Sequence, residues 1–201
     1  MNFYLFSGIV GSGHNLFIFG EVRYVAMERD LFVEIVKDAY SAYYTILPAE
    51  EKECKGLPLA FCAEYCSKDE QYFLTKSANI WRNEKREYTY VFSAPSFDPK
   101  LADACLSWAL EDMLPLVKPH KEHQYTNCKV VLLADSLGEE TVKTVKKSHF
   151  SKSYGLFSLQ GYTELIAAAV DLSREKTFTN RVGHSLESFF GKLFALRHEE
   201  A

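Results

Sequence analysis

The sequence predicts an α+β domain: a single mixed, largely antiparallel sheet covered by helices, in the order α-βββ-α-β-α-ββ-α. Three observations carry that expectation. Tyr88, Tyr90 and Phe92 alternate with Glu87 and Thr89, the period-two signature of a half-buried strand. Leu186, Phe189, Phe190, Leu193 and Phe194 recur at three and four, the stripe of a docked helix. Cys128 to Ala134 is almost wholly apolar, which marks a central strand buried on both faces.

The elements follow in order. Asp30 caps a helix running to about Ile46, with Leu31, Phe32, Ile35, Val36, Ala39, Tyr40 and Tyr43 on its apolar side, and Pro48 ends it. Pro48 to Lys55 is a charged loop. A three-strand meander comes next: Leu59 to Cys66, a turn at Ser67 to Glu70, Gln71 to Trp81, a polar connection at Arg82 to Arg86, then Glu87 to Ser93. Asp98-Pro99 starts a helix to about Leu114, with Asp as cap and Pro in the first helical position. After the central strand, Ser136 to Glu139 has the spacing of a capping box for a short helix to Lys147. Tyr154 to Gln160 reads as extended. Leu165 to Val170 has three alanines that favour helix, but its short length and the turn-like Ser173 to Lys176 favour a buried strand, which is the expectation adopted.

Composition narrows the function classes. The chain has 201 residues, 47% of them hydrophobic, which excludes disordered and collagen-like classes. At this length, folding buries roughly 70% of the surface an unfolded chain exposes. Twenty-three basic against 27 acidic residues, a net charge of −4, argue against a dedicated nucleic-acid or anionic-membrane binder. Five cysteines in no repeating spacing read as reduced thiols and so as a cytoplasmic protein.

Residues 1–26 form an N-terminal extension, read either as a β-hairpin (Phe3 to Val10 with Asn15 to Phe19) or as a mis-assigned start ahead of Met27. Residues 27–201 read as one α+β domain. Gly8 to Asn15 has the glycine spacing of a phosphate-binding P-loop, but His14 and Asn15 stand where that loop needs Lys and Ser or Thr, so a glycine turn is the better reading.

Several stretches resemble a bacterial family of uncharacterised proteins, a domain of unknown function common in Gram-positive anaerobes. They are Tyr72 to Trp81, Phe150 to Ser153, Gly161 to Glu164, Val170 to Leu172 and Thr179 to Gly183. The likeness covers roughly Asp30 onward. It implies that Val170-Asp171-Leu172 lies on a strand, and it brings no activity, cofactor or catalytic residue with it.

Each candidate for chemistry has a plainer competitor. Glu64 and Lys76 supply the residue types of the metal-dependent nuclease arrangement, a carboxylate and a lysine on adjacent strands, yet neither lies in the Glu-x-Lys pattern that chemistry needs. His120, His123 and Cys128 offer zinc ligands but lack a close cysteine pair, and exposed loop histidines are the competing reading. Cys128, His123 and Asp135 are candidates for nucleophilic catalysis, but Cys128 and Asp135 sit at opposite ends of a strand. Asp135 stands where open sheets place ligand-binding residues, or is simply a turn residue. Lys143, Lys146, Lys147, His149 and Lys152 make a basic segment free of acids. Asn180, Arg181 and His184, at the start of the last helix, are placed to ring an anion beside it. The expected ligand contacts are therefore Asn180, Arg181, His184, Lys147 and Lys152.

The expected function is a non-enzymatic module that binds a small ligand or a protein partner, with no catalytic set, no metal and no cofactor. The alternative is a divergent metal-dependent phosphodiesterase.

Overall fold

The computed structural model describes residues 29–49, 52–54, 56–71, 81–156 and 159–199. Its helices are α1 (Arg29–Ser41), α2 (Pro99–Met113), α3 (Glu139–Lys147) and α4 (His184–Glu199). Its strands are β1 (Thr45–Leu47), β2 (Leu59–Gln71), β3 (Trp81–Ala94), β4 (His123–Ala134), β5 (Ser151–Ser153), β6 (Tyr162–Asp171) and β7 (Lys176–Thr179). All seven strands form one open sheet in the order β1-β2-β3-β4-β6-β5, and β7 also pairs with β6. The β3–β4 and β4–β6 pairs are parallel, and the remaining pairs are antiparallel. The predicted α+β class and mixed sheet are thus observed.

Alternation of side chains along the strands divides the core in two. Tyr90, Phe92, Cys128, Val130 and Leu132 face α2 and α3. Val91, Val131, Leu133, Ala168 and Val170 face α1 and α4. The two helices that make the parallel crossovers, α2 and α3, lie on the same face, as successive crossovers of one hand stepping the same way must. On the other face Phe32 of α1 stacks on Phe194 of α4, with ring centroids 5.3 Å apart, which binds the two helices to each other as well as to the sheet.

Several boundaries differ from expectation for identifiable reasons. Helix α1 stops at Ser41 rather than Ile46, because Thr45–Leu47 pairs with Glu64, Ala63 and Cys62 as a strand at the edge of the sheet. The turn expected at Ser67 to Glu70 and the connection expected at Arg82 to Arg86 are strand. One long hairpin runs out to Gln71 opposite Trp81, and its register sets Lys68 opposite Glu84 and Glu70 opposite Arg82. Helix α3 has the expected span, but Gly138 is its N-cap and Ser136 makes no capping bond. Of the stretch expected to be extended, the described residues 154–156 and 159–160 are not strand; Tyr154 N–H donates to Gly161 O at 2.9 Å, and the strand there is Ser151–Ser153. The alanine-rich stretch is strand β6, as expected, and Asp171 is its last residue. The hairpin expected within Phe3 to Phe19, the whole of residues 1–26, the strand expected from Gln71 to Trp81 apart from its two end residues, Lys76 and the Gly8 to Asn15 motif lie outside the described residues.

Candidate functional site

At the carboxyl ends of the parallel strands, the polar groups are spent on architecture. Asp171 is fully buried and accepts hydrogen bonds from Leu137 N at 2.8 Å, Ser173 Oγ at 2.7 Å and the Arg174 backbone N at 3.0 Å. The Arg174 guanidinium adds two more, at 2.9 and 2.7 Å. Burial alone raises an acid's pKa, but the Arg174, Ser173 and backbone donors together outweigh it and hold this carboxyl below the usual range. The Asp171 bond to Leu137 N–H fixes the approach to α3. Asp135 pairs with Arg29 at 2.7 Å across to the start of α1.

The catalytic and metal candidates are not assembled. His123 is almost wholly buried on β4 rather than exposed in a loop. Its Nδ1–H donates to Gln160 O at 2.7 Å and its Nε2 is hydrogen-bonded to Thr126 Oγ1 at 2.9 Å, so both ring nitrogens are consumed. Cys128 is buried in the core beneath α2 and α3, where burial raises its thiol pKa well above the ordinary value. Burial also pushes the Cys62 and Cys105 thiols up to about 12. All five cysteines are free. Glu64 lies beside Arg86 at 3.3 Å. Among the described residues no group of three His, Cys, Asp or Glu side chains is placed to hold a metal ion.

Two depressions stand out among the described residues. A cleft of about 280 Å³ between α1 and α4 is walled by Tyr40, Tyr43, Tyr44, Leu186 and Phe189. Its one charged group, Lys129, is already bonded to Glu87 at 2.6 Å and to the Tyr44 hydroxyl at 3.2 Å, and that hydroxyl itself donates to Glu87. The cleft therefore has no free charge to offer.

The second depression, of about 480 Å³, runs along β7 between α3 and α4. Lys146, Lys176, Phe178, Arg181, His184 and Glu187 open into it. The Phe178 ring carries Lys146 Nζ at 5.4 Å and Lys176 Nζ at 5.5 Å, with the Arg174 guanidinium 5.5 Å away as well. Ring faces attract cations, and here one ring holds three of them together. Arg174 is neutralised by Asp171, whereas among the described residues no carboxylate pairs with Lys146, Lys176 or Arg181. Glu187 is the only acid in the lining, and it stands 3.6 Å from His184.

Of the residues expected to contact a ligand, Arg181 and His184 are exposed in this groove. Asn180 lines it too, but its side chain is committed: Oδ1 accepts from Ala167 N at 3.2 Å, and Nδ2 donates to Leu165 O at 2.9 Å and to Ser148 O at 3.2 Å. Asn180 thus ties β6 to the end of α3 and sets where the groove lies. Lys147 is exposed on α3 but outside the lining, and Lys152 on β5 sits over Tyr154 at 5.2 Å. Sequence reasoning does not find Lys176 and Phe178. A four-residue strand carries too little pattern to be seen, and only the fold shows that Lys146 of the basic segment faces it.

Three layers, a committed carboxyl end of the sheet and one basic groove on its edge define this α+β domain. The chain belongs to the family described as Domain of unknown function (DUF8052), whose model matches residues 28–192. None of the curated proteins or solved structures compared with the chain matches it. Among the described residues no helix is long and apolar enough to cross a membrane.

Proposed function

We propose that this domain is a binding module for an anionic ligand or partner, engaged at the β7 groove, and that it works without a catalytic set of its own. The observation that supports this most strongly is the convergence of Lys146, Lys176 and Arg181 on one depression in a protein whose overall charge is negative. Like charges brought together without counter-ions cost free energy, and an arriving anion removes that cost. Arg181 adds a planar fork suited to carboxylate or phosphate oxygens. The five free thiols favour a reducing, cytoplasmic setting.

The test is a thermal-unfolding screen with inorganic phosphate, a phosphorylated sugar and an acidic peptide, at low and high salt. At least one anion raises the melting temperature in the native protein, through linkage of binding to folding. In the Lys176→Ala/Arg181→Ala double variant that rise disappears. An equal rise in both proteins contradicts the site, and no rise with any anion contradicts the reading. Among the described residues no cluster of acids or histidines favours the metal-dependent phosphodiesterase alternative, and Glu64 is paired with Arg86. Mg²⁺-dependent cleavage of DNA or RNA that is lost in Glu64→Ala would restore it.

A further inference from the structure

The groove has a second property beside its charge: its floor is a sheet edge that no other described strand pairs. β7 pairs with β6 and, among the described residues, with no other strand. The register sets Thr179 opposite Ala168, Phe178 opposite Ala169 and Lys176 opposite Asp171. One step beyond, Asn180 N–H donates to Ala167 O at 3.0 Å. In an antiparallel ladder the residues that bond the partner strand alternate, so Asn180, Phe178 and Lys176 point their backbone groups at β6. Thr177 and Thr179 therefore turn their N–H and C=O groups to the open edge. An exposed row of this kind is a template for an added strand.

Resting on the anion-binding reading above, we propose that the partner is an extended acidic peptide segment that adds to β7 as a further antiparallel or parallel strand, with acidic residues at alternate positions. The alternation follows from the pleat. Lys176 and Phe178 share the sheet face covered by α3, and α3 supplies Lys146 over the same ring. Every second side chain of an added strand falls on that face and meets the lysines. The residues between fall on the α4 side, beside Thr177, Thr179 and the His184–Glu187 pair, on the opposite face from Lys146 and Lys176. A second copy of this chain is a poor occupant, because two β7 edges would bring four lysines together. Small anions meet the charges but leave the Thr177 and Thr179 backbone groups unused.

The experiment is fluorescence anisotropy with a labelled short peptide that alternates Thr and Glu, added to the full chain. Two derivatives of equal charge are compared with it: one N-methylated at the Thr residues, the other at the Glu residues. In a strand, only one of these two sets of N–H groups faces β7. Strand addition predicts that the parent peptide binds and that the two N-methyl isomers differ at least about tenfold in affinity, one of them matching the parent. Equal affinity of the isomers, whether both retain binding or both lose it, overturns strand addition. So does failure of the parent peptide while inorganic phosphate still binds, and in both cases the anion-binding reading stands. If neither peptide nor phosphate binds, both fall.

Discussion

Asp171 decides how the two sides of the site come together. A single carboxylate, buried to zero exposure, holds the loop before α3, the turn after β6 and the Arg174 guanidinium. Its folded-state pKa lies below the unfolded value, so its contribution is fully present above the unfolded pKa of about 3.9 and disappears as pH falls through the folded one. Replacing it with Ala strands the Leu137 and Arg174 donors and is expected to cost about 3 kcal/mol. Asp171→Asn is expected to flatten the loss of stability below about pH 4, because the titrating group is gone. Urea midpoints followed from neutral pH into that range check both statements, and parallel acid limbs for the native protein and Asp171→Asn would contradict the second. In the sequence, Asp171 stands out only through the family resemblance that places it on a strand, since nothing local announces that Leu137, 34 residues earlier, is its partner.

Among the elements, those that bury a continuous apolar surface are legible in the sequence and those made by pairing are not. β4 and α4 carry enough Val, Leu and Phe to declare themselves, whereas the three alanines of β6 pull towards helix and only its length and the turn after it point to strand. β1 and β7 are three and four residues long, and they are strands because β2 and β6 offer them an edge. The long hairpin hides its outer half for the same reason. Its residues there are charged and read as turns, yet the backbone ladder continues through them to Gln71 opposite Trp81. The layering also sorts the cysteines: Cys62 of β2, Cys105 of α2 and Cys128 of β4 lie in the core between the sheet and the α2–α3 layer, while Cys66 is exposed on β2. A thiol reagent applied to the folded protein is expected to modify Cys66 rapidly and these three only on unfolding. Loss of the fast phase in Cys66→Ser checks the assignment, and rapid modification of a core thiol in that variant would contradict the layering.

For the molecule as a whole, the placement of charge carries the functional account. Arg181 and His184, expected from the sequence as ligand contacts, do line the groove, but their companions Lys146 and Lys176 come from two elements that only the β6–β7 pairing and the α3 crossover bring together. Asn180, expected as a contact, proves to be the strut that sets the groove's position. Elsewhere, the carboxyl ends of the strands and the aromatic cleft have their charges paired internally, so among the described residues the β7 edge is where free cations gather. The most direct measurement is a backbone amide NMR titration of the full chain with a short acidic peptide. The account predicts shifts concentrated at Lys146, Lys176 through Arg181 and His184, which fade as salt is raised. Shifts centred on Tyr44 and Phe189, or spread evenly over the surface, would contradict it.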